Sequence, residues 1–356
     1  MTTALALSVD LEDWYHAPTV SGAPFSPYES APEFLESWDH EYDYLTRPTR
    51  RTLGLLDQLN LTATFFVVGS VVDNYPGLVE EIDARGHEIA CHGLHHEFAI
   101  HPDTKEPRFT PEEYRNRLAR ARDLLEEASG QDVTGFRAPA AYVSGWMLDV
   151  LEDLGFEYDS SVARNSLYDK TADSLDGVGT APYVPERGSL KPGGDRPLVE
   201  LPWPSLELSK LKIPTAGGPL IRLFGRRIVR AGIHQSLRRG DATFYFHPLD
   251  IAREPFPEIE TATRRPAFWT FKGRVAERRI RTLLQSIPGW ITTCEHVAST
   301  HAERTDRVDL TRATETNGTT ESGRAAEPGR AAEPGQAAEP DHSDGVGHLE
   351  LDSPGE

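Results

Sequence analysis

The first 300 residues predict an α/β fold in which helices cover a parallel sheet. Short runs rich in β-branched and aromatic residues alternate with helical segments along this part of the chain, and such alternation is typical of parallel sheets built from strand–helix units. The number of units and the total length favour a closed barrel over an open sheet. In such barrels the chemistry lies where strands end, so polar residues directly after strands are the first site candidates.

Strands and helices are predicted in a regular order. Strands are expected at 4–9, 62–68, 88–91, 133–136, 156–158, 198–201, 243–246 and 290–293. Helices are expected at 48–59, 76–85, 111–129, 144–155 and 275–286. The helix at 111–129 is the clearest, because Thr110 and Glu113 form a capping box and Gly130 follows its last residue.

Residues 301–356 predict a disordered acidic tail. They contain the near-repeats GRAAEP, GRAAEP and GQAAEP between positions 323 and 340, and repeated proline and glycine oppose both helix and sheet. The segment has 13 acidic and 5 basic side chains and too few apolar residues to bury a core. We therefore expect one folded domain at 1–300, including a C-terminal extension at about 255–300, followed by a solvated spacer.

The charge of the chain excludes one class of partner. The net charge is −19, of which the predicted tail carries −8 and the first 300 residues −11. A body this acidic argues against nucleic acid as a ligand, since a phosphate backbone requires a basic face. Only six of the 37 basic residues are lysine. Abundant carboxylates with scarce lysine indicate a halophilic protein from a high-salt cytoplasm, where screening weakens self-repulsion.

The N-terminus and the cysteines also favour a cytoplasmic protein. The N-terminal segment is acidic by Asp10 and lacks the basic and apolar regions of a signal peptide. No run of apolar residues is long enough to predict a membrane span. Cys91 and Cys294 are isolated, which predicts neither a disulfide framework nor a cysteine–zinc motif.

Two polar clusters follow the first and third predicted strands. Asp10, Glu12 and Asp13 come directly after the first strand; they form either a solvated turn or a general base with a metal ligand. His92 and His96 follow the strand at 88–91. Two neutral imidazoles and one carboxylate would leave open coordination positions, which a catalytic metal requires.

Arg137 and His247 follow two further strands. Arg137 is either an ordinary surface charge or the partner of a carboxylate whose ionisation and orientation it fixes. His247 follows the apolar run at 243–246 and is either a structural histidine or a proton donor. Each signal is modest alone, but both clusters and both single residues come after strands. This predicts that they meet at one edge of the sheet.

Together and in this order, these motifs resemble the polysaccharide deacetylase (NodB-like, carbohydrate esterase family 4-like) family over about residues 4–297. The base aspartate matches Asp10, the His-x-x-x-His motif matches His92 and His96, the Arg-x-Pro motif matches Arg137 in GFRAPA, and the acid histidine matches His247 in FYFHPLD. The stretches VDLEDWYH, ELPWPSLEL and AGGPLIRLFGRR resemble the subgroup found near exopolysaccharide and sorting-enzyme loci, which has an additional C-terminal region.

The resemblance implies a distorted (β/α)7 barrel and a hydrolase that removes acetyl groups, N-acetyl in the first place, from a sugar or polysaccharide. It also implies a divalent metal, with Zn²⁺ expected and Co²⁺ or Ni²⁺ as alternatives. His92, His96 and either Glu12 or Asp13 would hold this metal. Glu12 is favoured because side chains alternate along a strand, which puts Glu12 on the same face as Asp10.

The resemblance further implies the remaining roles. Asp10 would take a proton from the attacking water, Arg137 would keep Asp10 ionised and oriented, and His247 would protonate the leaving group. The oxyanion is expected near a backbone N–H at Tyr142. Four aromatic residues are either candidates to stack on the sugar or ordinary core residues: Trp14, Tyr15, Tyr142 and Trp203.

One family feature lacks a clear match, and two other functions stay open. The Trp and Asp that tune the acid histidine have only Trp203 as a near equivalent, without an accompanying Asp. A metal-independent amidohydrolase on the same fold should lack a metal ligand, and a non-catalytic carbohydrate-binding relative should lack the base or the acid. The long loops at 15–43 and 161–195 are the expected walls of the substrate site.

Overall fold

The structure, a computed structural model, describes residues 3–17, 20–21, 26, 28–38, 43–257 and 269–304. Most of the predicted tail, residues 305–356, lies outside this range. Residues 301–304 were predicted to be disordered, but they continue a helix that begins at residue 294. This helix buries Val297 and Ala298, and Arg304 forms an ion pair with Asp241 at 3.0 Å. Tertiary packing therefore outweighs the polar composition at this point.

A curled parallel sheet forms the centre of the fold and confirms the predicted barrel class. The strands are β1 (Ala4–Leu11), β2 (Thr64–Val67), β3 (Glu88–Cys91), β4 (Gly135–Phe136), β5 (Tyr158–Asp159), β6 (Val199–Glu200), β7 (Ser205–Leu208), β8 (Leu211–Pro214), β9 (Ala242–Phe246) and β10 (Trp290–Thr292). The order in the sheet is β10-β1-β2-β3-β4-β5-β6, and β9 lies outside this order and pairs with β1. A separate antiparallel hairpin joins β7 and β8.

Strand β1 is the central strand of this sheet and has three parallel neighbours. It pairs with β9 from Leu5 to Val9, with β2 from Ser8 to Leu11, and with β10 near its start. All eight of its residues are buried, which explains its nearly continuous apolar sequence. The carboxyl end of β1 consequently lies beside the ends of β2 and β9.

Helices pack against the sheet and against one another. Besides the helix that begins at residue 294, the helices are α1 (Ala31–Glu36), α2 (Thr46–Leu59), α3 (Val71–Asn74), α4 (Leu78–Asp83), α5 (Pro111–Ser129), α6 (Gly145–Asp153), α7 (Gly218–Leu237) and α8 (Arg274–Leu284). Helices α4 and α5 contact β3, whereas α7 contacts β9, the hairpin and α8. None of the helices within the described part of the chain has the length and apolar character of a membrane span.

The structure differs from the predicted elements where glycine obscures the pattern. Helix α7 was not predicted, because its glycines lower helix propensity and Gly225 has a φ of 75° that kinks the helix. The helix expected at 76–85 begins only at Leu78, since Gly77 before it is left-handed with a φ of 83°. The strands β4, β5 and β6 are each only two residues long, shorter than predicted.

Two helical glycines offer a matched test of this packing. A Cβ at Gly54 in α2 would meet open space, whereas a Cβ at Gly232 in α7 would lie 2.2 Å from Thr215 Oγ1. We expect Gly54→Ala to raise the free energy of unfolding by about 0.5–1 kcal/mol, because alanine loses less backbone entropy. Gly232→Ala should lower it by about 1–3 kcal/mol through overpacking. Urea unfolding measures both, and effects of the same sign would contradict this packing.

Candidate active site

Four strands bring polar side chains to a single cavity of about 260 Å³. Asp10 lies in β1, His92 follows β3, Arg137 follows β4 and His247 follows β9. The edge where the parallel strands end is thus the edge at which the predicted residues meet, as barrel geometry requires. The other polar or charged side chains of this wall are Glu12, His16, His96, Tyr168, Lys170 and Tyr245.

Glu12, His92 and His96 form a cluster with the spacing of metal ligands. Their potential ligand atoms all lie within 4.8 Å of one another. Glu12 Oε2 is 2.6 Å from His96 Nε2 and 3.7 Å from His92 Nε2. His92 Nδ1 lies 2.8 Å from the carbonyl oxygen of Arg137. A carbonyl can only accept, so Nδ1 donates and the Nε2 lone pair faces the cluster.

This cluster fits a divalent metal better than it fits an ordinary hydrogen-bond network. His96 Nε2 is buried and has no hydrogen bond of acceptable geometry, even though Glu12 Oε2 is close to it. A buried nitrogen without a hydrogen bond is costly, and a cation between the two atoms would satisfy both. Two imidazoles and one carboxylate suit Zn²⁺ and leave further coordination positions open.

The loop after β3 makes this convergence possible. His92 and His96 are not on a helix, because the intervening residues form a turn. His96 has a φ of 61° and Gly93 a φ of 79°. A left-handed histidine is uncommon and carries some strain, and strain of this kind concentrates at functional sites, where the surrounding structure sustains it.

Asp13, the alternative carboxylate ligand, does not belong to this cluster. Its side chain begins the short 3-10 helix at Trp14–His16, where it accepts from the Trp14 N–H at 2.7 Å. It also accepts from the Tyr75 hydroxyl. Burial raises the pKa of Asp13 to about 7. The geometry therefore brings Glu12, and not Asp13, to the histidines.

Asp10 is held by a fully buried arginine. Arg137 Nη1 donates to Asp10 Oδ1 at 2.6 Å and to the Ser8 hydroxyl at 2.8 Å. Its Nε and Nη2 donate to the carbonyl and the hydroxyl of Ser160. The guanidinium also lies 4.1 Å from the centre of the Phe66 ring. Arg137 is thus a partner of the carboxylate, and its donors are anchored on β1 and on the residue after β5.

His247 has an acidic partner that sequence reasoning missed. Its Nδ1 lies 3.1 Å from Asp250 Oδ2, and Asp250 Oδ1 accepts from Arg222 Nε at 2.7 Å. Asp250 is within the short helical turn that follows His247. The motif His-Pro-Leu-Asp was a local signal for this pair, whereas Arg222 comes from the unpredicted helix α7. Asp250, rather than a residue beside Trp203, is thus the acidic partner of His247.

Electrostatics leave His247 protonated beside an ionised Glu12. Burial alone would disfavour the Glu12 carboxylate, but His96 and then His247 outweigh it and hold the pKa of Glu12 well below its ordinary value. Burial also opposes charge on His247, but Glu12 and Asp250 outweigh it and raise the pKa of His247 to about 9. His247 Nε2 is 3.3 Å from Glu12 Oε1 and 4.0 Å from Asp10 Oδ2. Its Nε2 is therefore close to both carboxylates.

Of the four aromatic candidates, only Trp203 lines the cavity. Its Nε1 donates to the Ser160 carbonyl at 2.9 Å. Trp14 instead packs in the core against Phe34 and its neighbours, because the residues after Glu12 turn into the 3-10 helix. Tyr142 packs against Phe98, with the ring centroids 5.0 Å apart, and does not line the cavity. Its N–H is also occupied, since it donates to the Pro139 carbonyl at 3.2 Å.

His16 is a cavity residue that the sequence did not single out. Its ring stacks on that of His96 with centroids 4.8 Å apart. Its Nδ1 accepts from the Asp13 N–H at 3.0 Å. Burial, followed by the charge of His96, holds the pKa of His16 well below its ordinary value. His16 is therefore a neutral imidazole in the cavity wall.

Two family models match this chain in succession. Polysaccharide deacetylase matches residues 36–158, and Domain of unknown function (DUF3473) matches residues 172–297. Residues 36–158 are therefore similar to polysaccharide deacetylases, and the region that follows is similar to a domain of unknown function. That second region supplies Trp203, Arg222, His247 and Asp250 to the site.

Named relatives match parts of the chain. Peptidoglycan deacetylase from Helicobacter pylori is 27% identical over 158 residues, which are 43% of this chain and 51% of that protein. Chitooligosaccharide deacetylase from a Bradyrhizobium species is 35% identical over 104 residues, which are 29% of this chain and 43% of that protein. The chain thus spans about half or less of the length of these relatives.

A solved structure shares the fold over most of the chain. It is the crystal structure of a Mycobacterium smegmatis protein that carries the provisional name polysaccharide deacetylase. The alignment covers 86% of this chain and 91% of that protein, with 23% sequence identity and a TM-score of 0.54. This likeness concerns the fold.

Metal retention should depend on His96 and not on its neighbour His95. Loss of a hydrogen bond that supports a metal ligand weakens metal binding by about 10- to 100-fold. His96→Ala removes one of the three clustered ligands itself, so it should weaken Zn²⁺ binding by more than this. His95→Ala should keep its metal, because His95 lies outside the cluster. Elemental analysis of the dialysed proteins measures both variants.

Glu12→Gln and Asp13→Asn form a second matched pair in the same measurement. Glu12→Gln should lose metal, because it removes the carboxylate of the cluster, whereas Asp13→Asn should retain it. The reverse order would show that the carboxylate ligand has been assigned to the wrong residue.

Proposed function

We propose that this chain hydrolyses N-acetyl groups on a sugar of a polysaccharide, with a divalent metal as cofactor. The single observation that carries the proposal is that Asp10 and His247 lie in one cavity with the Glu12–His92–His96 cluster. One cavity thereby joins a proton acceptor, a proton donor and a metal-binding set. The relatives named as peptidoglycan and chitooligosaccharide deacetylases support an acetylated amino sugar as the substrate class.

Glu12, His92 and His96 would hold the metal, for which we propose Zn²⁺. When bound, the ion would polarise the acetyl carbonyl and make the attacking water more acidic. The protein's own contribution is to orient the three ligands. The hydrogen bond from His92 to the Arg137 carbonyl and the left-handed turn at His96 serve this purpose.

Asp10 and His247 would divide the proton transfers between them. Arg137 occupies Asp10 Oδ1, so Oδ2 is left to accept a proton from the water that attacks the acetyl carbon. Asp250 holds His247 Nδ1, so the protonated Nε2 faces the cavity and can donate to the departing amine. The two atoms are 4.0 Å apart, close enough for both to reach one acetyl group.

Two other functions are less well supported. A metal-independent amidohydrolase would be expected to lack a metal ligand, but the cluster is complete. A non-catalytic carbohydrate-binding relative would be expected to lack the base or the acid, but both are present with their supporting partners. The halophilic character and the cytoplasmic location suggested by the sequence stay predictions.

His247→Ala should separate substrates by their leaving groups. An N-acetyl sugar releases an amine that needs a proton, so this variant should lose about 10²- to 10⁴-fold in kcat/KM. An aryl acetate releases a stable phenolate and should retain much more activity. Asp10→Asn is the matched control and should lose both activities. Equal losses on both substrates in His247→Ala would contradict its role as the acid.

Asp250→Asn should move the alkaline limit of activity to lower pH. The pKa of His247 is raised, so its proton is present below that pKa and is lost as the pH rises through it. A metal on Glu12 would compensate that carboxylate, which leaves Asp250 as the group that keeps His247 charged. The pH profile of kcat/KM measures the shift. Asp153→Asn, an exposed carboxylate paired with Arg115, is the control, and a profile unchanged in Asp250→Asn would contradict this arrangement.

A further inference from the structure

A lysine from the long loop at 161–195 forms part of the wall of the active-site cavity. Lys170 lines the same cavity as Glu12 and His247. Its Nζ lies 4.1 Å from the centre of the Tyr142 ring and 5.4 Å from that of Tyr168. The side chain is half-buried, although an ammonium is strongly hydrated and loses free energy when water is removed. Aromatic faces compensate part of this cost.

The charge on Lys170 has no acidic partner among the residues that the structure describes. The other charged groups of the wall are compensated, since Arg137 is paired with Asp10, and His247 with Glu12 and Asp250. No described carboxylate lies within ion-pair distance of Lys170. Among the described side chains of the cavity, Lys170 is therefore a cation that is left to pair with a ligand.

A second lysine strengthens the positive potential at this point. Lys105 Nζ lies 5.5 Å from the centre of the same Tyr142 ring. Burial and then the charge of Lys105 lower the pKa of Lys170 to about 8. Only six lysines occur in the whole chain, and two of them flank one ring beside the cavity. A nearby anion would relieve both the lost hydration and the repulsion between the two ammonium groups.

We propose that Lys170 binds a carboxylate of the substrate, so that the chain acts on an acidic acetylated glycan. The inference rests on the proposed deacetylase function and names its substrate class. The carboxylate belongs to the sugar that loses the acetyl group or to its direct neighbour, because Lys170 shares the cavity with the proposed acid and base. A neutral glycan would leave the ammonium without a counter-charge when it displaced water from the cavity.

The test compares substrates that differ in the carboxylate alone. Oligosaccharides of alternating N-acetylglucosamine and glucuronate, and oligosaccharides with a lactyl ether on the N-acetylated sugar, are each measured before and after methyl esterification. The wild type should favour the free acid in at least one series by about 10- to 100-fold in kcat/KM, mainly through KM, as expected for a hydrogen bond to a charged group. An oligosaccharide that is neutral apart from a 6-sulfate distinguishes a preference for sulfate from a preference for carboxylate.

Substitution of Lys170 should remove this preference. Lys170→Met keeps the apolar stem but not the charge, so the ratio of the kcat/KM values for acid and ester should fall towards one. Lys170→Arg should keep most of the ratio, which guards against a variant that is merely misfolded. Lys210→Met, at an exposed lysine, should leave the ratio at its wild-type value.

The outcomes separate this inference from the function on which it rests. Acetate release from none of the substrates by the metal-loaded wild type would overturn the proposed deacetylase function. Release with equal efficiency from acids and esters, release from neutral or sulfated oligosaccharides alone, or a ratio unaffected by Lys170→Met would overturn the role of Lys170 and leave the deacetylase function in place.

Discussion

The arrangement of the site depends on a buried guanidinium that cannot lose its proton. Arg137 is fully buried, and burial of a permanent cation is tolerated only when its donors are satisfied and its charge is met. The Asp10 carboxylate supplies the charge, while Ser8 and Ser160 supply the remaining acceptors. These requirements tie β1, β4 and the residue after β5 to one relative position. The same backbone segment presents the Arg137 carbonyl to His92, so the proton acceptor and the metal-binding histidines share a single frame.

Much of this site could be predicted because its residues lie in short motifs directly after strands. Asp10 and Glu12 alternate on one face, and Arg137 and His247 directly follow strands, so simple strand geometry brings them together. The partners of these residues were harder to find. Arg222 reaches Asp250 from a helix 28 residues earlier in the chain, and no local pattern encodes such a contact. The role of Trp14 could not be decided from the sequence, because an aromatic residue beside a catalytic motif looks the same whether it faces the substrate or the core.

The fold could be predicted to a similar degree, and the predictions that were wrong have physical causes. Helix α5 begins and ends where its capping residues predict, because caps act within a few residues. Helix α7 was not predicted because its close packing requires glycine, and glycine weakens the helical pattern of the sequence. Gly232 lies against Thr215, and a Cβ at Gly218 would clash with the Asp250 carboxylate. The residues that weaken the helical pattern are therefore the ones that let this helix approach the site and deliver Arg222. Two-residue strands such as β4 have too little sequence to define their bounds.

The central place of β1 has a consequence for synthesis of the chain. The Ala4 N–H donates to Asp241, 237 residues later, and the two strands that complete the edges of β1 are the last of the sheet to be made. At about 5–20 residues per second, the apolar β1 segment would wait roughly 15–60 s on the ribosome before β9 and β10 could join it. Such long-range pairing slows folding and leaves a bare strand edge open to wrong partners. The nascent chain would consequently have a particular need for protection by chaperones until residue 292 has emerged.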